Sequence, residues 1–421
     1  MTPATVSSLG ALAGLVFAIV MIIFNAPPFY GLVVGALLGG ILGGGGLDAT
    51  VAAMVSGIQG MTRPILLILT SGVLIGAMIR TGSTEKLAES IIKAFGTKRA
   101  LFAIAFAAAL LCVAGVFVDI ALIAVAPVAL AVGRRANLNK ESVALAMLGG
   151  GKAGNLISPN PSTIATAEAF NVDLTSLMGN SLLPALAALL MTILLARYLA
   201  KRRDGLPVRL TDVEETAATL PSLVEAAFGP AVTLFLLTLR PLCGISVDPI
   251  VALPVGGLAC LLATRRVREA VETTKYGLSR VSGVAILFIG TGTIAGVVSA
   301  TTLEQDFVRI LHALHIHTFM LAPLSGALFS CATASTTAGA TLASQTFAGT
   351  LADQGVAPLA AATMTNAGAT TFNSFPHGSF FLATADATYM SFGKRTRLIP
   401  YEALVGATSA AVATALYLLN A

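Results

Sequence analysis

The chain has 421 residues, of which 56% are hydrophobic and 11% are charged, and its mean hydropathy is +0.87. A soluble domain carries about 25% charged residues, so this composition excludes one and describes an integral, multi-pass protein of the cell (inner) membrane. The net charge of +5 does not indicate nucleic acid, because the basic residues stand in short clusters between apolar runs, where they act as topology signals.

In chain order, residues 8–25 form an apolar stretch with no preceding basic region and no small-residue cleavage site. They are expected to be the first membrane helix and not a removed signal peptide. Glycine-rich runs follow at Gly35–Gly46, suited to close helix packing in a scaffold or dimer interface. Residues 83–97 place Glu85, Lys86, Glu89 and Lys93 between Leu87, Ile91, Ile92 and Phe95, which predicts an amphipathic helix lying in the interface. Residues 100–133 are apolar, with Gly115 and Asp119 midway and basic pairs at both ends (Lys98-Arg99 and Arg134-Arg135). Both ends are then cytoplasmic, which makes the stretch a re-entrant hairpin with its tip in the membrane.

The next helix is interrupted by Lys152, Asn155, Ser158, Pro159, Asn160, Pro161, Ser162 and Thr163. Unwound backbone at membrane depth is tolerated only inside protein or beside a water-filled cavity. Residues 174–197 return to the cytoplasm, and residues 200–222, with Lys201-Arg202-Arg203 and the acidic stretch Asp212 to Glu215, read as a cytoplasmic linker.

The pattern then repeats. Gly10 matches Gly229, Gly39-Gly40 match Gly256-Gly257, Gly72 and Gly76 match Gly292 and Gly296, Pro161 matches Pro376, and Pro184 matches Pro400. A second amphipathic segment is expected at 303–315 and a second hairpin at 318–350, with the tip Ser330-Cys331-Ala332-Thr333-Ala334-Ser335-Thr336-Thr337. A second break carries Asn366, Thr370, Thr371, Asn373, Ser374, Pro376, His377 and Ser379. Of the 25 Lys and Arg, this threading puts Arg63, Arg240 and Arg309 outside, Lys152 in the membrane and the remainder in the cytoplasm. The halves therefore have opposite orientation. The expected fold is an all-α polytopic membrane protein with two inverted-topology repeats, 1–199 and 223–421, each with a re-entrant hairpin and a broken transmembrane helix. Paired breaks in matching positions point to a secondary transporter's binding site.

Lys152 and Asp119 are the ionisable groups deepest in the first half's membrane segments, where a charge usually faces a cavity or a partner. Lys152 is a candidate to attract an anionic substrate, or to couple transport by shedding its own proton. Asp119 is the candidate carrier of a proton or sodium ion. Alternatively, Lys152 and Asp119 (or Glu168) neutralise one another in the core. The uncharged candidates for substrate binding are Asn155, Ser158, Asn160, Ser162 and Thr163 from the first break. The second break supplies Thr370, Thr371, Asn373, Ser374 and His377, and the second hairpin tip Thr333, Ser335 and Thr336. Amides and hydroxyls suit a polyhydroxy acid, and half-helix N-termini offer N–H groups to its carboxylate. About half of the hydroxyls in the breaks are expected only to cap helix ends. His377 titrates near neutral pH or sits buried and neutral on backbone carbonyls.

Cys112, Cys243, Cys260 and Cys331 stand singly in apolar stretches and imply neither a disulfide framework nor a metal site. The spacing of His312, His315 and His317 does not fit a helical metal pair. No His-Glu-x-x-His, cofactor fingerprint or nucleotide-binding motif is present, so no enzymatic activity, cofactor or metal is expected.

At these motifs the chain resembles the gluconate:proton symporter (gluconate permease) family of the ion transporter superfamily. Val116-Phe117-Val118-Asp119-Ile120, followed by an apolar run to Pro127, is similar to that family's Phe-Phe-Glu-Val tip. Ser158-Pro159-Asn160-Pro161-Ser162-Thr163 resembles its Pro-Pro-His-Pro-Gly-Pro break, and Ser330-Cys331-Ala332-Thr333-Ala334 its Gly-Ser-Ala-Thr-Val tip. Here Asp119 stands for Glu and Asn160 for His, Lys152 is an added charge, and the family's Asn-Asp-Ser-Gly-Phe run near His377 lacks its acidic residue. The resemblance implies a homodimer and proton-coupled uptake of a small anionic solute such as gluconate or a related sugar or hydroxy acid. A sodium-coupled carboxylate transporter and a passive channel or facilitator are the alternatives. The hairpin unit is expected to move against a fixed scaffold in an elevator-type cycle.

Overall fold

The structure, a computed structural model, describes residues 6–24, 26–202, 205–208, 220–243, 245, 247–301, 306, 309, 313, 317–376 and 378–420. Among these, four helical spans are long and apolar enough to cross a membrane alone: Thr62–Arg80, Leu182–Ala200, Val267–Ser299 and Phe392–Leu419. Shorter apolar helices are Ser8–Ile22, Pro28–Leu42, Leu223–Leu239 and Pro249–Ala263, together with the hairpin arm Thr318–Thr333.

Four N-terminal helices, α1 (Ser8–Ile23), α2 (Pro28–Leu42), α3 (Gly46–Gly60) and α4 (Thr62–Arg80), pack with α12 (Leu223–Cys243), α13 (Pro249–Ala263) and α14 (Ala270–Ser299). The long α14 runs beside α2, α3 and α4, so the halves interleave. Glycine makes this approach achievable: a Cβ on Gly277 would lie 1.8 Å from the Gly72 carbonyl oxygen. The Gly35–Gly46 and Gly256-Gly257 runs are likewise used within one chain. A Cβ on Gly35 would meet the Gly14 carbonyl at 2.5 Å, and one on Gly257 the α4 backbone at Val73 at 2.7 Å.

The expected amphipathic helix is α5 (Ser83–Phe95). It buries Ala88 and Ile92, pairs Glu89 with Lys86 at 3.4 Å and with Lys93, and meets the next helix at a bend of 101°. It packs on both arms of the first hairpin and on α12, so it joins hairpin to scaffold. Its expected counterpart at 303–315 lies mostly outside the described residues, as does the acidic stretch from Asp212 to Glu215. Linker residues 205–208 are pinned to the helix after the first hairpin: Lys140 N–H donates to Leu206 O, and Leu206 N–H to the Glu141 carboxylate, each at 2.8 Å.

The first hairpin is α6 (Ala100–Val113) and α7 (Val118–Arg135), and its broken helix is α8 (Lys140–Leu156) and α9 (Pro161–Ala169). After α10 (Leu174–Asn180), α11 (Leu182–Ala200) returns along α8. In the second half, α15 (Leu321–Thr333) and α16 (Thr336–Asp353) form the hairpin, and α17 (Pro358–Ala369) and α18 (Ser379–Ala387) the broken helix. The chain closes with α19 (Phe392–Thr396) and α20 (Ile399–Asn420). Each broken helix divides its contacts. Its first half packs on its own repeat's hairpin, while α9 packs on α16 and α18 on α7. This exchange brings both hairpin tips and both breaks to one place.

The two breaks differ in length. Leu156 and Ala369 end the first halves, and Pro161 and Ser379 start the second, so among the described residues the first break holds 157–160 and the second 370–376 and 378. The Pro161–Pro376 match in the sequence is thus displaced: Pro161 opens a helix, whereas Pro376 lies within the longer unwound segment.

Candidate functional site

Four helices begin at this meeting point. The start of α7 follows a tip turned by Gly115, whose φ is +92°. The start of α16 follows Ala334, at φ +47°. Ala334 is a buried residue in the left-handed region, which side chains seldom adopt. A Cβ on Gly378 would lie 2.4 Å from the Ala334 carbonyl oxygen, so the second tip presses directly on the second break at the start of α18.

Asn160 caps α9. Its Oδ1 accepts from Ser162 N–H at 2.8 Å and Thr163 N–H at 3.1 Å, with Pro161 at the first helical position, where a missing N–H costs nothing. The Asn160 amide donates to Asn155 O, to Ser158 Oγ at 2.8 Å and to Thr163 Oγ1 at 3.0 Å. One side chain thereby satisfies most of the backbone that the break exposes. Ser162 Oγ donates to Asn366 Oδ1 at 2.7 Å, and Asn366 to Thr163 Oγ1 at 3.5 Å, linking the two broken helices. Across the site, Asn373 donates to Thr336 Oγ1 at 2.7 Å, and Ser335 Oγ caps α16 through Ala338 N–H at 3.2 Å.

A cavity of about 180 Å³ lies among these ends. Its polar wall is Asp119, Asn155, Asn160, Ser335, Thr336, Thr337, Asn373 and Arg280, with Phe117 and Phe380 as aromatic neighbours. The volume is below the roughly 300–1,000 Å³ of pockets for drug-sized ligands, which fits a small solute. First-turn residues of α7, α9, α16 and α18 all reach the wall, so four positive helix ends converge on it.

Six of the sequence candidates, Asp119, Asn155, Asn160, Ser335, Thr336 and Asn373, therefore meet at one cavity. Ser158, Ser162 and Thr163 are fully buried and serve the break itself. Thr333 bonds Phe329 O at 2.8 Å, Thr370 bonds Ala367 O at 2.7 Å, and Ser374 bonds Asn373 Oδ1 at 3.2 Å. Thr371 is buried off the wall, and His377 lies outside the described residues.

Lys152 is the main departure. Its Nζ donates to Thr370 O at 2.9 Å and Glu402 O at 3.3 Å, and it neither lines the cavity nor pairs with Asp119 or Glu168. The position is explained by α8 packing between α11 and α20, which carries Lys152 to the carbonyls ending α17. There a cation meets the negative end of a helix dipole. Beside it, Arg395 and Glu402 form a fully buried two-pronged ion pair, and Arg395 Nε also donates to Thr384 Oγ1 at 3.1 Å. Glu168 pairs instead with Arg63 at 3.4 Å, and Arg63 with Asp248 at 2.8 Å, beside a separate 270 Å³ pocket. Sequence reasoning missed Arg280, Asn366 as a link between the breaks, and the Arg395–Glu402 pair.

Hairpin tips and helix breaks that enclose a polar cavity inside an apolar helical body, in two inverted repeats, define a membrane transporter. The chain belongs to the GntP permease family, the gluconate permease family of the ion transporter superfamily, whose profile matches residues 6–419. It is 44% identical over 98% of both chains to an uncharacterized transporter of Haemophilus influenzae. It is 22% identical to the high-affinity gluconate transporter of Escherichia coli, over 94% of this chain and 97% of that one. To the D-serine transporter DsdX of Escherichia coli it is 21% identical, over 79% and 81%. Its fold resembles the crystal structure of the Alcanivorax borkumensis YdaH transporter, with a TM-score of 0.65 at 15% identity, covering 95% of this chain and 97% of that one.

Proposed function

We propose that this permease is a proton-coupled symporter for a small organic anion such as gluconate or a related hydroxy acid. The observation that carries the reading is the convergence of four helix N-termini on one small polar cavity. Aligned peptide dipoles there favour a carboxylate, and the amides of Asn155 and Asn373 with the hydroxyls of Thr336 and Thr337 suit a hydroxylated chain. Asp119, on the same wall, is the proton carrier: neutralised, it adds no second negative charge beside the substrate's carboxylate when the loaded unit crosses. Gluconate transport by a relative at 22% identity supports the substrate class.

The division of contacts supports an elevator-type cycle. The hairpins and broken helices with α11 and α20 form one body, α1–α4 with α12–α14 another, and α5 bridges them. Two copies joined through the scaffold body complete the proposed assembly.

Uptake of labelled gluconate into proteoliposomes tests this. Accumulation above equilibrium under an inward pH gradient is expected. Accumulation driven only by a sodium gradient reassigns the ion, equilibration without accumulation makes the protein a facilitator, and no uptake of gluconate or other hydroxy acids refutes the substrate class.

A further inference from the structure

A carboxylate entering the cavity meets mostly neutral groups, and Lys152, the expected cation, is bound to backbone carbonyls away from the wall. Arg280 is the cation on the wall. It lies ten residues into α14, about 15 Å along the helix axis. Its side chain is exposed, so its guanidinium stands at the open edge of the cavity, where a solute can reach it. Among the described residues Arg280 has no carboxylate within ion-pair distance. Its Nη2 donates to the Tyr276 hydroxyl at 2.6 Å, and its guanidinium rests over that ring, 4.8 Å from the centroid. This one-turn neighbour holds the flat guanidinium in place without neutralising it.

The arginine also differs from the rest of the polar wall in origin. The amides, hydroxyls and Asp119 come from the hairpins and breaks, whereas α14 is locked to the scaffold by backbone contact. A Cβ on Gly57 would lie 2.0 Å from the Gly292 carbonyl oxygen and one on Gly277 1.8 Å from that of Gly72, so α14 packs backbone to backbone on α3 and α4.

We propose that Arg280 is the substrate-carboxylate ligand of the central cavity, supplied by the scaffold while the hairpin unit supplies the contacts to the hydroxylated chain. A planar guanidinium matches a carboxylate in two-pronged fashion, which an ammonium does not. This assignment rests on the anion-transport reading above and deepens it. The plain alternative is an interfacial arginine that reaches for water along the mouth of the cavity.

Gluconate binding to detergent-purified wild type, Arg280→Gln and Arg280→Lys, with sorbitol as the uncharged control, separates the two. Arg280→Gln is expected to weaken gluconate at least tenfold, as loss of a charged hydrogen bond does at roughly that scale, with Arg280→Lys between. Phenylglyoxal labelling of the wild type, read by peptide mass spectrometry, should slow at Arg280 when gluconate is present and not when sorbitol is, a result that does not depend on any variant folding. Unchanged gluconate affinity in a folded Arg280→Gln, or labelling at Arg280 that gluconate leaves unaltered, overturns the proposal. A wild type that binds no carboxylate in a panel of sugar and hydroxy acids defeats the transport reading first, and this assignment with it.

Discussion

Replacing Asn160 with alanine tests whether the first break is held open by a single side chain. Asn160 accepts two backbone N–H groups and donates to Asn155 O, Ser158 Oγ and Thr163 Oγ1, all in a buried setting. Losing an N-cap costs about 0.5–2 kcal/mol. A buried polar group left without a partner costs about 1–3 kcal/mol. Thr163 Oγ1 still reaches Asn155 O at 3.3 Å, so that carbonyl is not orphaned. The two α9 N–H groups are the main uncompensated loss, and the expected destabilisation is about 2–4 kcal/mol. Asn160→Asp keeps the cap acceptor but turns the donating amide into a second acceptor facing Asn155 O, so it should recover only part of the loss. Asn373→Ala, which removes the single bond to Thr336 and the contact from Ser374, should cost about 1 kcal/mol. Reversible unfolding in mixed micelles measures all three, with gluconate uptake as the functional readout. If Asn160→Ala matches the wild type in stability and uptake, the break does not depend on this cap and the account of the site is wrong.

Asp119→Asn, which mimics the protonated carboxyl, should retain exchange of gluconate across the membrane and lose pH-driven accumulation; full accumulation rules Asp119 out as the coupling group. Lys152→Met should lower stability by about 1–3 kcal/mol, because the Thr370 and Glu402 carbonyls lose their donor, while gluconate affinity stays within about threefold, well under 1.4 kcal/mol; a tenfold loss of affinity would return Lys152 to the substrate site. Gly277→Ala puts a methyl group into the α4 backbone and should cost about 1–3 kcal/mol, whereas Gly283→Ala, with open space around it on the same helix, should be neutral or slightly stabilising; equal melting temperatures for the two variants would contradict the locked scaffold.

The architecture was legible in the sequence because membrane insertion imposes local, one-dimensional rules. Apolar runs of limited length, basic flanks and prolines among amides mark spans, orientation and breaks without reference to any distant residue. Those rules located both hairpins, both breaks, the amphipathic α5 and the polar residues Asp119, Asn155, Asn160, Ser335, Thr336 and Asn373 that meet at the cavity. What they could not decide is which way each side chain points once helices pack. Lys152 and Asn155 lie on one helix three residues apart, yet Asn155 faces the cavity and Lys152 the carbonyl ends of α17 and the start of α20. Arg280 looked like one more cytoplasmic topology charge, because nothing near it in the chain is unwound. Only the docking of α14 against the hairpin of the second repeat sets its guanidinium on the cavity wall. The buried Arg395–Glu402 pair was invisible for the same reason: its cost and its satisfaction both depend on α18, α19 and α20 enclosing it from several sides. Periodicity and composition report each segment's solvent, but the partner of a buried charge is set by contacts between segments that no single stretch of sequence contains.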